Sequence, residues 1–430
     1  MEINYIQLAI PVFFVAILLE VVYSGIARKG WYDLHDSLSN LACGSIEQLA
    51  ELLYKTALLG IYILLYGHLR TVSLPLDSIA VWVVCFILVD LGYYCFHRAS
   101  HRVHIIWAGH GPHHQSEEYN LTVALRQGAL ERCWSWLFWL PLAILGFPPL
   151  MYVACVQFNN IYQFFVHTRA VDRLGPLELV LNTPSHHRVH HGKNPAYIDK
   201  NYGGVLIVWD RLFGTFAAED EPPVYGTVTP LHSWNPLWAN AVFYADMGNY
   251  MRGLTLGQKI QVLLRPPGWR PEQPVPEIPA VTAASYPKYR TSGTLGRNLL
   301  LGLHFIVVLQ SATLFLPLAH QLPASLALLA GSCLTAGFVA ILALIESRSW
   351  FWRLESLRLP LTLLTLWLLP LVLPWQLAGT AAVLALSLGS LWLSGLPGQH
   401  GGKHDKAPGF RPGAEAEGLT PASGPSPPPA

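Results

Sequence analysis

A helix that crosses a bilayer needs about 20 consecutive, mostly apolar residues, and this chain supplies runs of that length again and again. They fall at about 5–25, 47–67, 78–96, 298–319, 322–344, 360–374 and 377–394. The stretch "CWSWLFWLPLAILGFPPLMYVACVQFNNIYQFFVH", 133–167, is interrupted by "GFPP". Proline has no N–H and clashes with the preceding turn, so this stretch reads as a helical hairpin that enters and returns. The last pair is short on one side and reads as spanning or re-entrant. Only 12% of residues are charged, with a mean hydropathy of +0.35, against roughly 25% charged in soluble domains. The expected fold is therefore all-α, a polytopic membrane bundle. The first run has neither a basic leader nor a small-residue cleavage site, so it reads as a retained span and not as a signal peptide. The six cysteines are scattered without a CxxC pair, which points away from a disulfide framework or thiolate zinc site.

Charge placement orients the bundle. Arg28 and Lys29 follow the first run, and Arg98, Arg102, Arg126 and Arg132 follow the third. The remaining Lys and Arg gather mostly in 169–297, 348–358 and the tail, while the opposite loops hold Arg70 and little else. The positive-inside rule puts the amino terminus outside and these loops in the cytosol. That is the inner membrane of a bacterium or the endoplasmic reticulum of a eukaryote. A net charge of +1 gives no reason to expect nucleic acid. The expected divisions are 1–77 (N-terminal spans), 78–235 (spans plus the histidine-rich stretches), 236–296 (a proline-stiffened cytosolic extension), 297–396 (C-terminal hairpins) and 397–430, a disordered tail without apolar pattern. Trp134, Trp136 and Trp139 read as an interfacial belt.

Eleven of the eighteen histidines lie between 97 and 191. "HRASH" sets His97 and His101 four apart, on one face of a helix. "HGPHH" gives His110, His113 and His114, and "SHHRVHH" repeats the HxxHH spacing as His187, His190 and His191. His167 stands alone at the end of the broken hairpin. A solvated cluster or a pH sensor explains neither the repeat nor the shared side of the membrane. Imidazole suits iron, zinc and copper, and eight or nine exceed the three or four ligands that one zinc takes. Two metals, each with an open position, are expected. Iron activating O2 needs such a set, whereas a binuclear zinc lipid hydrolase, with Glu118 as base, would be expected to have bridging carboxylates. A metal transporter or sensor would line a path with ionisable residues, yet these histidines collect at span ends. His186, His104, Asp90, Asp199 and Asp210 are candidates to orient the ligands. Glu118, Asn120, Arg126, Asn182 and Arg102 are candidates for a substrate or cofactor pocket. His35, His232, His400 and His404 read as solvated.

HxxxH, HxxHH and HxxHH in a multi-span chain resemble the fatty acid hydroxylase / sterol desaturase superfamily. Within it, "IIWAGHGPHHQSEEYNLTVALRQ" and "LGPLELVLNTPSHHRVHHGKNPAYIDKNYGGVLIVWDRLFGTFAAEDEPPVYG" are most like the glyceryl-ether-cleaving (alkylglycerol) monooxygenase branch. The likeness is dense over about 80–230. It implies a cytosolic histidine cap holding two irons, O2-dependent hydroxylation of a membrane lipid, and tetrahydrobiopterin or another electron donor. Carried over position by position, His97, His101, His110, His113, His114, His187, His190 and His191 match the eight-histidine set, and His167 matches an additional ligand of related hydroxylases. Members acting on ether lipids carry an acidic residue directly after the second histidine of HxxxH. This chain has Arg102 there. Arg102 is expected either to anchor at the lipid–water boundary or to pair with an anionic head group.

Overall fold

The computed structural model describes residues 5–394 apart from 274–277 and 283–285; the expected disordered tail lies outside these. The described residues form helices and turns joined by loops, with no β-strand among them beyond two isolated bridges. In chain order the helices are α1 Tyr5–Ile26, α2 Leu34–Leu69, α3 Ile79–Arg102, α4 His104–His110, α5 Arg132–Ser135, α6 Leu140–Leu145, α7 Pro149–Val166 and α8 Pro184–His190. Then follow α9 Val208–Leu212, α10 Pro236–Tyr250, α11 Leu256–Leu264, α12 Leu295–Leu318, α13 Ala324–Ile345, α14 Phe351–Leu368 and α15 Leu373–Ser394. Six are long and apolar enough to cross a membrane: α1, α2, α3, α12 (extended to Gln321), α13 and α15. Their outward faces are apolar, as with Leu18 and Leu19 on α1 or Val83 and Val84 on α3, as lipid requires.

The structure departs from the hydropathy reading in two places. The span expected at 360–374 is α14, which starts at Phe351 and carries Arg353, Glu355 and Arg358 in its first half. These charges keep it out of the set of six. The run expected at 47–67 is part of the 36-residue α2, roughly 54 Å long at 1.5 Å per residue against a hydrocarbon core of about 30 Å. Its first turns project beyond the membrane, where Asn40 donates to Thr122 at 3.1 Å. The hairpin expected over 133–167 is present as a helical stretch, Arg132–Leu145, and α7, broken at Gly146 (φ 96°) before the two prolines. Within the cytosolic extension expected at 236–296, α10 and α11 fold down onto α4.

Two apolar cores hold the bundle. One joins Leu38, Ala42 and Ile46 of α2 to Leu301 and Phe305 of α12 and Phe338 and Ile341 of α13. The other joins Cys85 and Val89 of α3 to Leu142, Met151 and Cys155, with Tyr62 of α2. Trp139 belongs to this second core and not to an interfacial belt. Its indole lies against Gly92, where a Cβ would come within 2.8 Å of the ring, and its N–H donates to the Val89 carbonyl at 3.0 Å. His35 is buried as well, held by Asn298 at 3.3 Å and Thr291 at 2.8 Å from distant parts of the chain.

Candidate metal centre

Every histidine of the motifs is presented by a local device. His97 and His101 occupy the last turns of α3, on one face. Val103 then leaves the helical region (φ −126°, ψ 113°) and starts α4, which ends at His110. A tight 3-10 turn, Gly111–Gln115, follows at once and carries His113 and His114. The buried Arg126 staples this turn to α2, donating to the Pro112 carbonyl at 2.6 Å, to Gln115 at 2.7 Å and to Ser39 at 2.9 Å. His167 caps the end of α7. Thr183, with Pro184 at the first helical position, starts α8, whose His187 and His190 are followed by His191.

These pieces bring nine imidazoles into two groups. His97, His101, His110, His114 and His190 form one; His113, His167, His187 and His191 form the other. Within each group the candidate ligand atoms lie within 4.8 Å of one another. The groups adjoin, with the His114 and His191 rings stacked at 4.4 Å between centroids.

The protons on these rings can be placed. The Nδ1 of His97 lies 2.8 Å from the Tyr202 carbonyl, that of His113 2.9 Å from Arg126, that of His167 2.7 Å from Gln163 and that of His190 2.9 Å from Lys200. A carbonyl only accepts, so each Nδ1 carries the proton and each Nε2 presents a bare lone pair. Yet the Nε2 atoms of His113 and His167 face each other at 3.2 Å. Adding a proton is not the remedy, because burial and the neighbouring His110 push His113 down to about 4. Burial likewise holds His190 at about 3 and His114, His187 and His191 below the usual imidazole range. Two bare lone pairs at that separation repel, and a cation bound by both removes the repulsion. His101 and His191 add one buried, unpartnered Nε2 to each group. The donor set therefore fits a metal in each group, with backbone carbonyls orienting the ligands from behind.

With this geometry, the relatives are informative. Residues 82–215 match the Fatty acid hydroxylase family. Alkylglycerol monooxygenase of Homo sapiens is 43% identical over 305 residues, 68% of this chain and 67% of that protein. The chain belongs to the fatty acid hydroxylase family. Alkylglycerol monooxygenase of Danio rerio is 41% identical over 290 residues, 66% of this chain and 65% of the relative. Ornithine lipid hydroxylase OlsE of Rhizobium tropici is 30% identical over 148 residues, 33% and 43% of the two chains. The chain spans about two thirds of the length of the alkylglycerol monooxygenases of Homo sapiens and Danio rerio. No solved structure matches.

Around the histidines of the two groups, the acidic candidates act at one remove. Asp90 accepts from the backbone N–H of Val205 (2.7 Å) and Leu206 (3.0 Å), the Trp209 indole (2.9 Å) and Asn159 (2.7 Å). Asp210 accepts from Tyr202 N–H (2.8 Å), Gly203 N–H (2.7 Å) and Thr215 (2.7 Å). Both carboxylates hold the loop whose carbonyls hold His97 and His190. Gly204 permits this close approach, since a Cβ there would meet Tyr93 at 2.8 Å and Asp90 at 2.9 Å. Asp199 (φ 60°) pairs with Arg102 at 2.5 Å. Arg102 thus takes its anion from this chain, with half of its side chain still in solvent. His186 sits outside both groups, its Nδ1 facing the Thr183 N–H in the capping box of α8. His104 is buried beside Tyr250.

The remaining pocket candidates are engaged by the protein. Glu118 receives Arg290 (2.6 Å), Lys288 (2.7 Å) and Arg169 (3.1 Å), an arrangement that leaves it poorly placed as a hydrolytic base. Asn120 donates to the Trp31 carbonyl at 2.9 Å and accepts from Thr122. Asn182 donates to the Gly203 carbonyl at 2.6 Å. One relevant residue was not foreseen. Glu131 places Oε2 3.5 Å from His110 Nδ1, and neither atom has a hydrogen-bond partner. Among the described residues it is the one carboxylate paired with a ring of either group. Its loop position, "LERC", carries no spacing signal.

Proposed function

We propose that this chain is an integral-membrane di-iron monooxygenase that hydroxylates a long-chain lipid beside its head group, with glyceryl ethers of the alkylglycerol type as the substrate class. The observation that carries this reading is the pair of adjoining, buried, all-imidazole groups with lone pairs turned inward. Iron bound there would supply the activation of O2, one oxygen entering the lipid C–H bond and the other leaving as water with two electrons from tetrahydrobiopterin or another donor. The cap faces the cytosol, in keeping with the distribution of Lys and Arg.

The chain's own residues account for the site of attack and for its shelter. Counted from Ile79, His97 lies about 27 Å along α3, near the edge of a hydrocarbon core of about 30 Å. A lipid lying in that leaflet offers its head-group-proximal carbons at this depth. Tyr119, fully buried, stacks on His167 with centroids 5.8 Å apart and meets His191 at 5.3 Å, closing that side to water. The carbonyls of Tyr202, Lys200, Arg126 and Gln163 keep the Nδ1 protons, so Nε2 stays free to donate. Hydroxylation of the carbon beside an ether oxygen gives a hemiacetal, which collapses to an aldehyde and a glycerol.

Purified protein supplied with a 1-O-alkylglycerol and tetrahydrobiopterin should consume O2 and release fatty aldehyde under air, and do neither under argon. Turnover of the lipid under argon would replace this reading with hydrolysis.

A further inference from the structure

We propose that residues 177–180 and 208–213 form a wedge of the histidine cap that is inserted into the hydrocarbon of the bilayer beside α3, its occupant being phospholipid acyl chains. The α3 helix has 24 residues and is about 36 Å long, against a core of about 30 Å. With Ile79 at the far boundary, Asp90 lies about 16 Å and Tyr94 about 22 Å into the membrane. Drawing the far end further outward sets both farther from the cytosolic boundary. The cap is bound at these two depths. Asp90 holds Val205, Leu206 and Trp209 by hydrogen bonds of 2.7–3.0 Å. The Phe213 ring stacks on Tyr94 at 5.3 Å, and Thr215 meets the Tyr94 hydroxyl at 3.0 Å. The loop 205–207 in turn carries 180–182, through Ile207 N–H to the Val180 carbonyl at 2.9 Å and the Leu181–Leu206 bridge.

What this loop turns outward is apolar apart from Arg211. Leu177, Leu179, Val180, Val208, Leu212 and Phe213 are all exposed, Leu212 at 66%. In water such a cluster is costly, whereas lipid already covers Val83, Val84 and Ile87 of α3, which are exposed in the same way. Charge is distributed as a bilayer requires. Arg98, Arg102, Arg173 and Arg211 are exposed in these same elements or beside them, each held by a partner in the chain, the Tyr94 hydroxyl, Asp199 and the Glu219 and Glu178 carbonyls, with apolar stems along the wedge and the rest of each guanidinium open to the head groups. Between α3 and Phe213 runs a cleft of about 310 Å³ lined by Tyr94, Cys95, Ala99, Phe213 and the two arginines of α3, open to the same lipid. A second copy of this chain would instead be expected to bring acidic groups to the arginines.

The test is depth-dependent quenching. Leu212→Cys is labelled with bimane in a Cys95→Ser, Cys133→Ser background and placed in nanodiscs containing doxyl-chain phosphatidylcholine. Labels at Val84→Cys and Asp220→Cys are the lipid-facing and aqueous references. The Leu212 label should lose as much intensity as the Val84 label and be insensitive to iodide. Quenching by iodide to the extent seen at Asp220 would overturn the insertion. Protection from both quenchers, with a particle holding two chains, would overturn the lipid occupant in favour of a second copy. Iron content equal to that of the unlabelled parent establishes that each labelled protein is folded.

Discussion

Asp210→Asn isolates the link between the loop and the histidines proposed to hold metal. Asp210 takes three donors on two oxygens, Tyr202 N–H and Thr215 O–H on one and Gly203 N–H on the other. In the better amide orientation the new nitrogen faces Gly203 N–H, donor against donor, and the two surviving bonds lose their charge assistance. Hydrogen bonds to charged groups contribute about 1.5–3 kcal/mol each, and a stranded buried donor costs about 1–3 kcal/mol. The turn at 202–203 is therefore weakened by roughly 3 kcal/mol or more. Tyr202 is the residue whose carbonyl fixes His97 Nδ1 at 2.8 Å. Loss of such support lowers metal affinity about 10–100-fold. Iron retention against a graded chelator, read by metal analysis, should shift by that factor, while Asp199→Asn, which bears on Arg102 and the Tyr202 hydroxyl but not on the Tyr202 or Gly203 N–H, should not shift it. If Asp210→Asn lowers the thermal midpoint but retains iron like the parent, the loop is a stability element only and the reasoning fails.

Three further outcomes follow from the site. Glu131→Ala should weaken iron binding while Glu131→Gln restores much of it, because a neutral acceptor can still face His110 Nδ1; equal chelator curves for all three proteins would remove Glu131 from the site. Arg102→Glu breaks a half-exposed pair with Asp199, worth about 0–1 kcal/mol; the thermal midpoint and iron content should stay close to the parent, and loss of iron would show that the pair props His101. In metal-stripped protein His113 titrates near 4, below its ordinary 6.5, so the unfolded chain takes up protons first. That contribution to stability is complete above pH 6.5 and is lost as pH falls through 4; a thermal midpoint that is flat across this window would contradict it.

The membrane class and the convergence of nine histidines were legible because both depend on local pattern: run length for the spans, and spacings of three and four for the ligating faces. What escaped the sequence depends on partners far along the chain. Trp139 is buried because Gly92 leaves room for it, and His35 because Asn298 and Thr291 close over it. Asp90 and Asp210 stood out as acids near the motifs, yet they act on backbone N–H groups, and the direct partners of His97 and His190 are carbonyls. A carbonyl has no side-chain identity, so no spacing can announce it. Glu131 reaches His110 only because the 128–135 turn folds back over α4, where Gly128 leaves a Cβ no room against the Gly109 carbonyl. The charged first half of α14 was masked by the apolar residues that follow it.

The central claim is that each imidazole group holds one redox-active iron. Metal analysis of purified protein, with O2 uptake followed on the same sample, addresses it most directly. The account predicts about two irons per chain, falling to about one in His167→Ala/His191→Ala, which dismantles only the four-histidine group, with O2 uptake abolished. A stable load of zinc with no O2 uptake from the parent protein would contradict it.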